Sequence, residues 1–269
     1  MYEDELAAAV QAAREAGELI AGFYDRGGIA VETKADASPV TQADRDASER
    51  IVALLAAAFP GDAILSEEVP DDGRRLAARR VWIVDPLDGT RDFVARTGEF
   101  SVHVGLAVDG EAVVGAVYQP VTRKMFAGRA GGGAWMEAAA GGERRALRVS
   151  ARADLPDLRV GVSRLNLASA LGRCLDDHGI PKLAMGASVK HMAVAAGELE
   201  AAVNLGPGEQ EWDTCAPEVI LREAGGAFSD GDGRAFRYNQ PDLGHHRGSV
   251  ASNGACHGAL LEILAPHLR

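Results

Sequence analysis

The residues best suited to chemistry stand in one short segment, Asp85-Pro86-Leu87-Asp88-Gly89-Thr90, directly after the apolar run 81–84. Asp-Pro and Asp-Gly both favour turns, so a plain turn is one account of it. The other account is chemical. Pro86 stiffens the exit from the run so that Asp85 and Asp88 can converge, and Gly89 lets the backbone come close to a ligand. Two carboxylates that near each other repel, and a divalent cation between them removes the repulsion.

Two other acidic sites read the same way. Glu67-Glu68 closes the apolar run 63–66, either as surface acids ahead of the polar loop 70–73 or as carboxylates delivered at a strand end. Trp212-Asp213-Thr214 opens a helical pattern. Asp213 there serves as an N-cap, and a helix N-terminus is also where phosphate and its metals collect. His245-His246 is no rival, because adjacent histidines point apart in an extended chain and magnesium avoids imidazole. Trp82, Trp135 and Trp212 read as packing anchors.

These groups need elements to hold them. Apolar residues at Leu6, Val10, Ala13, Ile20 and Phe23 recur at helical spacing and stop at Gly27-Gly28. After an extended stretch at 31–34, a second helix starts near Thr41, carries Ile51, Leu54, Leu55 and Ala58, and stops at Pro60-Gly61; Asp44 lies in its first turn. The runs 63–66 and 81–84 read as buried strands. Segments 101–108 and 111–118 form a hairpin through Asp109-Gly110, which suits a type I′ turn.

The second half repeats the mixture: a strand at 160–163, a helix near 167–177, a helix from about Ser188 to Gly197, and a strand at 201–204. A further helix follows Asp213 and ends at Gly225-Gly226, with short strands and a terminal helix after it. Helices and strands alternate with hairpins mixed in, so a layered α/β (mixed α+β) architecture fits better than a doubly wound parallel sheet. The Gly- and Ala-rich stretch 128–142 lacks the Lys-Ser/Thr of a P-loop and reads as a turn-rich connection. It divides one compact catalytic unit into a half at 1–150, with most of the candidate ligands, and a half at 151–269, with Asp213.

A chain of 269 residues with 47% hydrophobic content can bury a sizeable core. Its net charge of −11 repels a nucleic-acid polymer, and the pairs Arg74-Arg75, Arg79-Arg80 and Arg144-Arg145 are too dispersed to form a basic patch. A small phosphorylated metabolite remains compatible if divalent cations stand between it and the carboxylates. Cys174, Cys215 and Cys256 show no disulfide or zinc spacing, as expected of packing residues in a reducing cytosol. The opening Met-Tyr-Glu-Asp-Glu is unlike a secretory signal, and the longest apolar run, 51–59, falls short of a membrane span. A soluble, cytoplasmic protein is expected.

Four segments in this order, Pro39-Val40-Thr41-Gln42-Ala43-Asp44, Ser66-Glu67-Glu68, Asp85-Pro86-Leu87-Asp88-Gly89-Thr90 and Trp212-Asp213-Thr214-Cys215-Ala216-Pro217, carry a family likeness. They resemble the lithium-sensitive, metal-dependent phosphatases of the inositol monophosphatase and fructose-1,6-bisphosphatase superfamily, and the match spans nearly the whole chain. The resemblance implies a five-layer α-β-α-β-α sandwich, lithium inhibition and a homodimer. It implies that Glu67, Asp85, the Leu87 carbonyl, Asp88 and Asp213 bind two or three Mg²⁺ ions, a hard cation that clamps phosphate oxygens and supplies the attacking water. Thr90 with Asp44 would orient and deprotonate that water beside Glu67, and the Gly89 and Thr90 amides would hold the phosphate.

The stretch 207–221 most resembles the 3′(2′),5′-bisphosphate nucleotidases, which turn 3′-phosphoadenosine 5′-phosphate into AMP. Gly186-Ala187-Ser188-Val189-Lys190 and Ser163-Arg164 match those enzymes too, and imply that Ser163, Arg164, Gly186, Ser188, Lys190 and Asp213 contact the substrate, with the two cations near a second phosphate. Gly206 stands where inositol monophosphatases carry an acid, which weakens the inositol reading; Leu165-Asn166 stands where nucleotidases often have Ser-His, which leaves the base pocket open. The alternatives are inositol-1-monophosphatase or fructose-1,6-bisphosphatase activity, or a non-catalytic metal or nucleotide sensor.

Overall fold

A computed structural model describes residues 1–28, 30–33, 39–186, 189–205 and 208–267. Helix α1 (Glu3–Arg26) turns a stripe of Ala9, Ala12, Ala13, Ala16 and Ile20 inward. Strands β1 (Val31–Thr33) and β2 (Pro39–Thr41) pair antiparallel and lead into α2 (Gln42–Ala58). Thr41 is the N-cap of α2, and Asp44 closes a capping box with it.

A seven-stranded sheet follows in sequential order: β3 (Ala63–Ser66), β4 (Arg80–Asp88), β5 (Ser101–Val108), β6 (Glu111–Gln119), β7 (Lys124–Arg129), β8 (Gly133–Glu137) and β9 (Arg144–Ala146). Helix α3 (Thr90–Val94) interrupts it after β4. Asp109 and Gly110 both take positive φ, 52° and 80°, as a type I′ turn requires.

The remaining chain supplies β10 (Val160–Val162), α4 (Ala170–Asp177), β11 (Lys182–Ala184), α5 (Val189–Ala195), β12 (Ala201–Asn204), α6 (Glu211–Glu223), β13 (Ala227–Ser229), β14 (Ser249–Ser252) and α7 (His257–Leu264). Its sheet runs β11-β10-β12-β14-β13, with β10 parallel to both neighbours.

Burial sorts these into the expected five layers. Ala13, Ile20, Ile51 and Leu55 of α1 and α2 bury against Trp82, Val102 and Val114 on one face of the first sheet. Cys215 and Val219 of α6 bury against Ile83 and Ala107 on the other face. Met192 of α5 and Ile220 of α6 also meet Ala202 and Ala251 of the second sheet, and Leu175 of α4 and Leu260 of α7 cover its far side. Helix α6 lies unusually close to β5 and β6: a Cβ on Gly105 would stand 2.7 Å from Cys215 Sγ, and one on Gly115 only 2.3 Å from the Ala216 carbonyl oxygen. Those glycines set how near α6 can bring Asp213 to the sheet.

Several sequence expectations need correction. The stretch 128–142 is no mere connection, since it holds the end of β7 and all of β8, so the first sheet runs on through it. Small residues had masked the alternation of buried and exposed positions. Strand β4 continues past residue 84 to Asp88, with a register shift against β5 between Asp85 and Asp88. Pro86 is tolerated there because a bulge needs no ladder donor from it. The helix expected from 167 begins at Ala170 behind the cap of Ser169. Gln210, not Asp213, is the N-cap of α6.

Candidate metal centre

The irregular end of β4 is what brings its two aspartates together. Asp85 Oδ1 accepts the Leu87 amide at 3.0 Å, which turns the backbone so that Asp85 and Asp88 share a side. Asp213, third residue of α6, accepts the Gln210 amide on Oδ2 at 2.6 Å, a bond that fixes its rotamer. One carboxylate oxygen each from Asp85, Asp88 and Asp213 lies within 4.8 Å of the others. The Glu67 amide donates to the Val84 carbonyl at 3.2 Å and so sets that residue beside the end of β4.

Crowding shows in the proton affinities. Burial raises the Asp85 carboxyl well above its ordinary range, with repulsion from Glu67, Asp88 and Asp213 adding to it. Burial likewise raises Asp213, reinforced by Asp88 and Glu209 and opposed by the Gln210 amide. Such a group of acids is relieved when a divalent charge enters, and its donors are all hard oxygens. The residues therefore fit an oxygen-seeking divalent cation.

A second unit adjoins the first. Gly89 takes φ 92°, which a side chain would resist, and swings Thr90 into the first position of α3. Thr90 Oγ1 then donates to Asp44 Oδ1 at 3.0 Å and also stands 3.3 Å from the Leu87 carbonyl oxygen. Asp44 Oδ2 accepts the Thr41 amide at 2.8 Å and the Thr41 hydroxyl at 2.6 Å. The buried carboxylate thus caps α2 and faces Thr90 at once.

The residues expected at the substrate divide. Lys190 is buried on α5, and its charge eases the raised proton affinity of the buried Glu209. Ser163 directly follows β10. Arg164 departs from expectation: its Nη1 meets Asp92 Oδ1 at 2.8 Å and its Nη2 meets Glu99 Oε2 at 2.5 Å. The Gly186 amide donates to the same Glu99 oxygen at 2.7 Å. Arg164 is therefore a clamp between the 92–99 segment and the second sheet rather than an uncommitted phosphate reader. Ser188 and Gly206 lie outside the described residues.

His245 and His246 hold loops, as expected. Nε2 of His245 is 2.7 Å from Thr214 Oγ1, burial pushes its pKa down to about 4, and His246 pairs with Asp242. All three cysteines are buried and unbridged. No helix among the described residues is long and apolar enough to cross a membrane.

Sequence reasoning missed His103, Ser101 and Glu209. His103 is fully buried in β5, with Nε2 3.3 Å from Asp88 Oδ2 and 3.0 Å from Ser101 Oγ, and Nδ1 3.3 Å from the Trp212 carbonyl oxygen. Its signal was present: it is a lone imidazole inside the otherwise apolar run 102–108. Glu209 gives no comparable local signal, because only the fold shows it buried.

Comparison with known proteins gives the family of the chain. A profile of the inositol monophosphatase family matches residues 1–269. The 3′(2′),5′-bisphosphate nucleotidase CysQ of Escherichia coli is 37% identical over 231 residues, 85% of this chain and 91% of that protein. The Nus factor SuhB of Pseudomonas aeruginosa is 35% identical over 273 residues, covering 97% of this chain and 95% of that protein. The crystal structure of CysQ from Bacteroides thetaiotaomicron superposes with a TM-score of 0.80 at 30% identity, covering 94% of this chain and 98% of that one.

Proposed function

Because this chain belongs to the inositol monophosphatase family and is a phosphatase, we propose that it uses Mg²⁺ to hydrolyse a 3′(2′),5′-bisphosphate nucleotide, such as 3′-phosphoadenosine 5′-phosphate, to AMP and phosphate. The observation that carries the reading is the meeting of Asp85, Asp88 and Asp213 within 4.8 Å, with the Thr90–Asp44 pair beside them. The identity to CysQ supports the nucleotide substrate.

Asp85, Asp88 and Asp213, joined by Glu67 and the Leu87 carbonyl, would hold the magnesium ions, which when bound neutralise phosphate charge and acidify a water. Thr90 and Asp44 manage the proton. Thr90 Oγ1 already donates to Asp44 Oδ1, so it can take a proton from the attacking water as its own passes to Asp44. The two bonds from Thr41 keep Asp44 aimed at Thr90 during that transfer. Glu67 helps orient the water, and the amides of Gly89 and Thr90 hold the phosphate. Lys190 supplies the cation for the second phosphate, with Ser163, Gly186 and Asp213 around the substrate; Arg164 reaches it only by leaving Asp92 and Glu99.

That commitment of Arg164 is the one observation favouring a second reading, hydrolysis of a monophosphorylated polyol such as inositol 1-phosphate. A substrate panel with purified protein and Mg²⁺ decides. Fastest phosphate release from 3′-phosphoadenosine 5′-phosphate is expected, and much faster turnover of inositol 1-phosphate or fructose 1,6-bisphosphate would overturn the nucleotide assignment.

A further inference from the structure

We infer that His103 is a positioning residue that sets the separation of Asp88 and Asp213, and so the affinity of the centre for a divalent cation. The inference rests on reading those carboxylates as the metal site. Asp88 ends β4 and Asp213 stands in the first turn of α6, and the His103 ring lies between the two segments. In the β4–β5 ladder, Asp85 stands opposite His103 and Asp88 opposite Ser101. The other edge of the ring faces the carbonyl of Trp212, the residue just before Asp213.

Counting protons decides how the ring is used. The Trp212 oxygen can only accept, so its bond to Nδ1 requires the proton there. A neutral imidazole has a single N–H, which leaves Nε2 with a lone pair for the Ser101 hydroxyl at 3.0 Å. The ring then offers Asp88 no N–H of its own. Each tautomer leaves one pair of acceptors 3.3 Å apart, Nε2 and Asp88 Oδ2 in this one and Nδ1 and the Trp212 oxygen in the opposite one, but a cation drawing on Asp88 relieves the first pair and does nothing for the second. The tautomer that holds the start of α6 is therefore the one that leaves Asp88 to the metal.

Three substitutions separate the two edges of the ring. Asn places an amide nitrogen where Nδ1 stands, Gln reaches the Nε2 position but not Nδ1, and Leu offers neither. Binding of Mn²⁺ alone, read from the free ion by electron paramagnetic resonance, should stay within about threefold of wild type in His103→Asn. It should weaken roughly 10- to 100-fold in His103→Gln and His103→Leu, the order of loss when a group supporting a metal site from outside its ligands is removed. Wild-type affinity in His103→Leu overturns the inference, as does an Asn variant that loses as much as Leu.

Nitrogen NMR of the wild-type ring tests it independently of how the variants fold. A protonated Nδ1 is expected, and a protonated Nε2 with bare Nδ1 overturns the inference. Asp88→Asn separates this inference from the one beneath it. Undiminished Mn²⁺ binding in that variant removes the metal centre itself, whereas loss there beside wild-type affinity in His103→Leu removes only the role of His103.

Discussion

Asp44 is held by a cap whose residues are neighbours in the sequence, whereas its bond to Thr90 spans 46 positions and is made by the fold. Thr41-Gln42-Ala43-Asp44 is a capping pattern, and its carboxylate has one oxygen left for Thr90 once Thr41 has taken the other. Removing only the hydroxyl tests the proton path. Thr90→Val, nearly the same shape, should lower turnover by about 10²–10⁴-fold, the usual worth of a positioned proton acceptor, while Thr90→Ser stays near wild type. Steady-state phosphate release measures both, and a Thr90→Val enzyme as fast as wild type would remove the relay. Part of the acidic cluster was legible for a local reason, because Asp85 and Asp88 are three residues apart on one strand end. His103 was not singled out, since its partners Asp88 and Trp212 are brought to it only by sheet register and by the docking of α6.

Elements explain the rest of what could and could not be read. Apolar spacing marked α2 and turn chemistry marked the type I′ hairpin, whereas β8 hid among Gly and Ala residues that look like a loop. The Arg164 clamp could not be anticipated, because Asp92 and Glu99 come from the segment between β4 and β5 while Arg164 follows β10. The structure thereby splits two cations that sequence resemblance had paired. Lys190→Ala should raise KM for bisphosphates more than for monophosphates, by roughly 10-fold for one charge-assisted contact. Arg164→Ala should instead weaken both substrates alike, because it loosens the wall that Gly186 joins through Glu99. Paired KM measurements on a bisphosphate and a monophosphate check both, and a selective loss in Arg164→Ala would return that residue to the second phosphate.

Across the whole molecule, stability and function pull in different directions. The five layers bury His103, His191 and His245 and half-bury His257, and that burial lowers the pKa of each below its ordinary value. A histidine whose folded pKa is depressed contributes its full stability above the unfolded value near 6.5 and loses it as pH falls through that value toward the folded one. These histidines therefore favour the fold less below about pH 6.5, while the Glu211 carboxyl, raised to about 7 by burial, favours it more as pH falls through that value. His191 is the clearest case, since both ring nitrogens are buried without a hydrogen-bond partner among the described residues, against the edge of Phe228. His191→Met should stabilise the fold by about 1–3 kcal/mol, with the larger gain at pH 5.5 than at pH 8. Thermal melts at the two pH values measure this, and a variant less stable than wild type at both would mean that the ring has a partner after all.

The carboxylates make the opposite demand, for they crowd charge that the fold alone does not relieve. Phosphate release from 3′-phosphoadenosine 5′-phosphate, followed as Mg²⁺ is returned to protein stripped with EDTA, tests that dependence directly. No turnover without the ion and saturable recovery with it are predicted, and full turnover in EDTA would contradict the account.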